Sequence, residues 1–396
     1  MKYIPSRITR REFVASSGAG VIAAHMTSAT QSAASQSGAR SDETTAKPPF
    51  RVIIDTDPGV DDAFALLLAM RSPELIIEAI TPVAGNVPLE ITLPNALRMV
   101  EIAGRTDIPV AAGAKAPMLR RLVTAAYAHG ENGLAGTIFP APTTKPVAER
   151  APELIRRLVR KYPGEISLIT IGPLTNIAVA LSSDEELAGM VRRVVMMGGS
   201  LSGGNITPAA EFNIYVDPEA ARIVFQSGIP VTMVGLDVTR KTSLTDEHVR
   251  TLESAQNPVS QAAAKIARNA IDHTRSQGFL VGPNMHDSLA IAALLDPSIL
   301  KWKEYYVDIE TSGELTAGET VGYSPLAGDL RRRPDMEKQA RENMQIRGSA
   351  PTLASTGSSP VIRNKFVPNT NVAVDVDSGR FFDLLIGRLT GKAKSL

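Results

Sequence analysis

Three observations in the sequence predict an α/β fold: a single large domain whose mostly parallel open sheet carries helices on both faces. From Phe50 onward, strand-like and helix-like segments alternate, the order that parallel strands with crossover helices require. The strand-like runs are short and apolar and end at Gly or polar residues, which marks buried strands. The run Asp55-Thr56-Asp57-Pro58-Gly59-Val60-Asp61-Asp62 places four carboxylates in eight residues directly after Val52-Ile53-Ile54. These acids fall on a strand-to-helix turn, and open α/β sheets bind their ligands at the carboxyl ends of strands.

The chain has 396 residues, room for one large α/β domain or two smaller ones. Its N-terminus stands apart from the alternation. Thr9-Arg10-Arg11-Glu12-Phe13-Val14 sets paired arginines ahead of a weakly apolar stretch at 14–24, and Ser, Thr, Gln and small residues follow. This looks like a twin-arginine export signal cleaved within 29–34, with a disordered basic tail as the alternative. Residues 1–34 are therefore expected to be the signal, 35–49 a linker and 50–396 the folded domain. The apolar stretch is too short and too rich in Gly, Ser and Ala for a stable membrane anchor. The expected partner is the twin-arginine export machinery, and the expected location is the bacterial periplasm or exterior. The absence of cysteine fits an oxidising compartment. A formal charge of +1 gives no basis for a nucleic-acid partner.

Residues 52–54 predict the first strand and 62–69 an apolar helix. A second strand is expected at 75–83, a helix at 94–103 and a short strand at 108–112. Residues 151–162 have amphipathic helical spacing and lead through Pro163-Gly164 into a strand at 166–171. Further strands are expected at 194–197, 231–234 and 371–376, and a final helix at 381–389. Two regions break the rhythm. Residues 115–145, with His129-Gly130-Glu131-Asn132-Gly133, read as a long surface loop, which inside a compact domain is more often functional than idle. Residues 324–370, with Arg331-Arg332-Arg333, read as an insertion whose arginines form a solvated face.

Clustered like charges repel unless something positive neutralises them. A capped turn accounts for one or two of the acids at 55–62, since Asp is a common N-cap and Pro-Gly a common turn. It does not account for all four. A hard dication with oxygen ligands, Ca²⁺ or Mg²⁺, does so directly.

The octet resembles the N-terminal fingerprint of the inosine-uridine-preferring nucleoside hydrolases. Four further clusters match that family in its order: Val83-Ala84-Gly85-Asn86; Thr170-Ile171-Gly172-Pro173-Leu174-Thr175-Asn176; Met196-Met197-Gly198-Gly199 with Asn205 and Glu211-Phe212-Asn213; and Met285-His286-Asp287-Ser288-Leu289-Ala290. The resemblance implies Ca²⁺-dependent hydrolysis of a ribonucleoside to ribose and free base, with inversion, by a homodimer or homotetramer. It implies that Asp57, Asp62, Asp287 and the carbonyl of Ile171 ligate Ca²⁺, and that Asp57 is the general base for the attacking water. Asp61 would bind the ribose 2′-hydroxyl, Asn213 and Asp287 the 3′-hydroxyl, and Asn205 and Glu211 the 5′-hydroxyl. Asn86 and Met197 would line the sugar pocket, and Asp55 would orient the turn from behind the ligands.

His286 and His129 match histidines of the branch that accepts pyrimidine as well as purine ribosides. Each is a candidate to activate the leaving base; the alternatives are a structural hydrogen bond for His286 and a solvated loop residue for His129. His248 and His273 read as structural. Residues 270–283, which in the family contribute aromatic contacts to the base, offer only Phe279 and His273 here. Residues 196–204 lack the Gly-Lys-Ser/Thr ending of a phosphate loop. A haloacid dehalogenase-type phosphatase also places Asp-x-Asp after its first strand, but Gly59 stands where it wants Thr or Val. A nucleoside-binding protein without turnover is the other alternative, and an intact Asp57 argues against it.

Overall fold

Val52, Ile53 and Ile54 form the centre of a strand, β1 (Phe50–Thr56), that is buried throughout apart from Arg51. Its side chains alternate between two cores, with Val52 and Ile54 on one face and Ile53 on the other. Because both faces are covered, the strand is a continuous apolar run instead of an alternating one. The computed structural model describes residues 49–324 and 367–392. The expected export signal, the linker up to 48 and the 325–366 part of the insertion, with its triple arginine, lie outside the described residues.

β1 is followed by α1 (Val60–Met70), β2 (Leu75–Pro82), α2 (Leu89–Ala103), the one-turn α3 (Ala126–His129) and α4 (Ala151–Lys161). Next come β3 (Ile166–Thr170), α5 (Thr175–Ser182), α6 (Leu187–Met190), β4 (Arg193–Met197), α7 (Phe212–Val216), α8 (Pro218–Gln226) and β5 (Val231–Val234). Helices α9 (Leu236–Thr239), α10 (Asp246–Ser254), α11 (Pro258–Ser276) and α12 (His286–Leu295) precede β6 (Leu300–Ile309) and β7 (Thr320–Tyr323). β8 (Thr370–Val376) and a C-terminal helix (Ser378–Thr390) complete the fold.

One eight-stranded sheet runs in the order β2-β1-β3-β4-β5-β8-β6-β7. The pairings from β2 through β8 are parallel, and β6 and β7 add an antiparallel edge. The core on one face is built from α1, α2, α11, α12 and the C-terminal helix. The core on the other is built from α4, α5 and α8. The expected α/β fold with helices on both faces is therefore present. Strand order reverses between β1 and β3, since β1 is followed by β2 on one side and flanked by β3 on the other. Such a switch point opens a crevice at the strands' carboxyl ends, which is where the acids of 55–62 sit.

Three expectations differ in detail. Residues 108–112 make only isolated bridges, Val110 with Ile80 and Ala111 with Val147, because Pro109 has no N–H to extend a ladder. The helix expected from Pro94 starts at Leu89 instead and holds Pro94 inside it. Burial of Leu89 and a bond from Thr92 Oγ1 to the Val83 carbonyl (2.9 Å) anchor that earlier turn. The 115–145 loop contains the single turn α3.

Candidate active site

The β1–α1 turn is held by its own carboxylates. Asp62 Oδ1 accepts from Thr56 Oγ1 (2.6 Å) and the Asp57 N–H (3.1 Å), and Oδ2 accepts from the Gly59 N–H (3.0 Å) and Asn86 Nδ2 (3.0 Å). Asp62 is the third residue of α1, so it caps the helix that carries it. Asp55 lies behind the turn, where Oδ2 accepts from Thr81 Oγ1 (2.6 Å) and Asn176 Nδ2 (2.8 Å). Burial pushes the Asp55 carboxyl up to about 7.

Asp57 is fully enclosed. Its Oδ2 accepts from the Asn86 N–H at 2.7 Å, while Oδ1 is buried and has no partner. Two glycines make room for it. A Cβ on Gly172 would stand 2.6 Å from Oδ1, and one on Gly85 would collide with Oδ2. Both clusters quoted from the sequence therefore place a glycine against the same carboxylate.

Asp61 and Asp62 in the first turn of α1 meet Asp287 in the first turn of α12. One carboxylate oxygen from each lies within 4.8 Å of the others, and all three residues are buried. Burial raises the pKa of Asp57 and Asp287 well above the usual carboxylate range, reinforced by the neighbouring acids; it also raises Asp61, to about 6. The two converging helix N-termini favour negative charge there. They do not balance several carboxylates, and unpaired buried charge is costly. The donor set is entirely oxygen, and Asp57 Oδ1 is an orphaned acceptor beside it. Both features fit a hard dication. The tight trio includes Asp61, whereas the set expected from the resemblance names Asp57, Asp62, Ile171 and Asp287.

Above the acids opens a cavity of about 390 Å³. Asp61, Asn86, Ile171, Met197 and Asp287 line its floor side, and Asn205, Glu211 and Asn213 line another wall. Glu211 is the N-cap of α7: Oε1 accepts from the Asn213 N–H (3.0 Å), and Oε2 accepts from the Gly199 N–H (2.9 Å) and the Ile214 N–H (3.2 Å). Burial lifts its pKa to about 7. Asn213 Nδ2 donates to the carbonyls of Ile171 (3.2 Å) and Met197 (3.3 Å), tying the ends of β3 and β4 together. Asn205 is exposed, and its Oδ1 accepts from the Phe212 N–H at 2.9 Å.

Both candidate histidines reach the same cavity. His129 Nδ1 accepts from the Val60 N–H (3.1 Å), the first free donor of α1, and lies 3.9 Å from Asp61 Oδ1. That bond puts the proton on Nε2. His286 Nδ1 lies 2.7 Å from Thr239 Oγ1. Burial lowers the pKa of His129 to about 4 and of His286 to about 3, favouring the neutral imidazole in both. Tyr127, Thr274, Gln277, Phe279 and Asn284 complete the far end of the cavity. His248 stacks on Phe382 away from it, with ring centroids 4.0 Å apart.

Sequence reasoning assigned no part to Thr239, Asn176, Tyr127, Thr274, Gln277 or Asn284. Asn176 lay inside a quoted cluster and was within reach. Tyr127, Thr274 and Gln277 lie in the 115–145 and 270–283 stretches already marked for the base end, whereas Thr239 and Asn284 join the site only through tertiary contacts.

Comparison with known proteins gives the family. Residues 52–383 match the model of the inosine-uridine preferring nucleoside hydrolase family. The chain is 42% identical over 341 residues to the pyrimidine-specific ribonucleoside hydrolase RihA of Escherichia coli O1:K1 / APEC, covering 85% of this chain and 97% of that one. Among solved structures it is similar to the plant nucleoside hydrolase PpNRh1 (TM-score 0.73, 32% identity, 87% of this chain and 99% of that one). It is also similar to the purine-preferring ribonucleoside hydrolase of Gardnerella vaginalis (TM-score 0.72, 30% identity, 86% and 98%). With five motif clusters in order, the acid-lined crevice at the switch point and a family match over most of its length, the chain belongs to the inosine-uridine preferring nucleoside hydrolases.

Proposed function

We propose that this N-glycosidase hydrolyses ribonucleosides to ribose and free base in a Ca²⁺-dependent, inverting reaction. The observation that carries the reading is the buried Asp61/Asp62/Asp287 group beside the unpartnered Asp57 Oδ1, opening on a cavity walled by polar groups. Asp57, Asp62, Asp287 and the Ile171 carbonyl would hold the ion. A bound Ca²⁺ would neutralise the acids and lower the pKa of a water among them.

The chain's own residues supply the rest. Asp57 takes a proton from the attacking water through Oδ1, with Oδ2 fixed by the Asn86 N–H. Asp61, Asn213 and Asp287 bind the 2′- and 3′-hydroxyls, and Asn205 and Glu211 the 5′-hydroxyl, with Asn86 and Met197 beside the ring. Positive charge grows on the ribose as the bond breaks, and the surrounding carboxylates and carbonyl dipoles stabilise it. Fixing all three hydroxyls holds the sugar near attack geometry. His286 bonds the departing base through the nitrogen that Thr239 leaves free, and His129 does so through Nε2–H.

The likeness to a pyrimidine-specific relative supports uridine as a substrate. The likeness to a purine-preferring structure supports inosine as well. The Arg10-Arg11 pair supports twin-arginine export to the periplasm, and among the described residues no helix is long and apolar enough to cross a membrane. Ribose release from uridine and inosine tests the reading. Release should occur without phosphate, stop on chelation and return with Ca²⁺. Phosphate release from nucleotides, or unaltered turnover after exhaustive chelation, would contradict it.

A further inference from the structure

His129 rides on α3, a helix of one turn inside a long loop, and so short a helix is not stable by itself. Its N-terminal side is tied down where the Ala125 N–H donates to the Asn86 carbonyl at 2.9 Å. On the other side, the Tyr127 carbonyl faces the last turn of α11. His273 Nε2 lies 2.9 Å from that oxygen, and Gln277 Nε2 donates to the same oxygen. Gln277 caps α11 four residues on from His273, so the two side chains meet at the end of the helix, their nitrogens 3.0 Å from each other. A carbonyl cannot donate, so His273 presents Nε2–H to it. The Tyr127 ring is 57% exposed and gives the turn little anchorage of its own.

We infer that His273 and Gln277 are positioning residues, a two-pronged clamp on the Tyr127 carbonyl that holds α3 against the site and so fixes His129 over the base end of the cavity. The clamp joins two parts of the same wall. Thr274 of α11 and Gln277, which caps it, line the cavity, as do Tyr127 and His129 of α3. Ordering the α11 end thereby orders the imidazole at the N-terminus of α1. The inference rests on the proposed role of His129 for its kinetic part only.

The test pairs kinetics with hydrogen exchange in the full-length protein. His273→Phe with Gln277→Leu removes both donors while keeping bulk, at a half-buried and an exposed position that the fold tolerates. Amide exchange across 125–136 should speed up about tenfold, because two hydrogen bonds no longer resist local opening. kcat on uridine should fall between about tenfold and about 10²-fold, as for a misplaced catalytic group. Adding the same pair to His129→Ala should cost nothing further. His273→Gln, which keeps a donor, should restore exchange protection and rate together. Unchanged exchange in the double variant would overturn the clamp, whatever the kinetics. Faster exchange with losses that add to those of His129→Ala would overturn its action through His129. A wild-type protein that turns over no nucleoside would sink the proposed function and leave the exchange result to judge the clamp alone.

Discussion

The two ends of the cavity are built differently. At the acid end, the carboxylates sit just past a strand end, at a helix N-cap or in the first turn of a helix, and backbone amides hold three of them. Asp62 receives two main-chain N–H bonds, Asp57 one and Glu211 three. At the base end, His129 depends on a one-turn helix, and Phe279 and Val281 stand 59% and 61% exposed. The difference teaches that, on the proposed reading, the groups that meet the ribose are set by strand ends and helix starts, whereas those that meet the base combine one such residue, His286 at the start of α12, with loop residues such as His129 and Phe279. Mutations should therefore act on all substrates at the first end and selectively at the second.

Asp57→Asn should produce the largest effect. It keeps an oxygen at the site but removes the proposed base, so kcat should fall on the order of 10⁴-fold, equally for uridine, inosine and p-nitrophenyl riboside. Steady-state kinetics on the three substrates read this out, and loss confined to one of them would break the comparison. His286→Ala tests the other end. It should lower kcat on uridine by about 10²–10⁴-fold yet leave p-nitrophenyl riboside nearly unchanged, because that leaving group departs without a hydrogen bond from the enzyme. Equal losses on both would make His286 a structural residue.

Gly172→Ala should be milder in rate than either but visible in stability. Its new Cβ would stand 2.6 Å from Asp57 Oδ1, an overpacking that costs about 1–3 kcal/mol, measurable as a shift of the denaturation midpoint. Phe279→Ala should be the smallest effect. A ring so exposed should alter KM only a few-fold, and by different factors for uridine and inosine; about the same factor for both would place it outside base contact.

The same contrast governs what the sequence revealed. β1 and its turn were legible because a continuous apolar run followed by four acids has few physical explanations, and each acid found a cap, a buried network or a neighbouring carboxylate. The ordered clusters led to Asn86, Ile171, Glu211 and Asn213 because strand ends and helix caps leave local marks. The bridges at 110 and 111 do not grow into the strand expected at 108–112, because apolar composition says nothing about whether Pro109 can extend a ladder. The start of α2 at Leu89, ahead of the expected 94–103, was not legible because the packing of Leu89 in the core sets it. Thr239 under His286, and His273 and Gln277 under Tyr127, were illegible because they meet across 47, 146 and 150 residues of chain.

The central claim is that the acid cluster is electrostatically incomplete without a dication. Burial raises Asp55 and Glu211 to about 7 and Asp61 to about 6, and burial with the neighbouring acids also raises Asp57 and Asp287 well above the usual carboxylate range. An acid whose folded pKa exceeds its unfolded value binds more protons when folded. Its contribution to stability therefore falls as pH rises from the unfolded value near 4 through the folded one. The most direct measurement is the thermal midpoint of the chelated protein at pH 8 and pH 6, with and without added Ca²⁺. The chelated protein should melt higher at pH 6 than at pH 8. Ca²⁺ should raise the midpoint most at pH 8, since a ligand that binds only the folded state stabilises it. A chelated midpoint that does not rise on acidification, together with no response to Ca²⁺ at pH 8, would contradict the account.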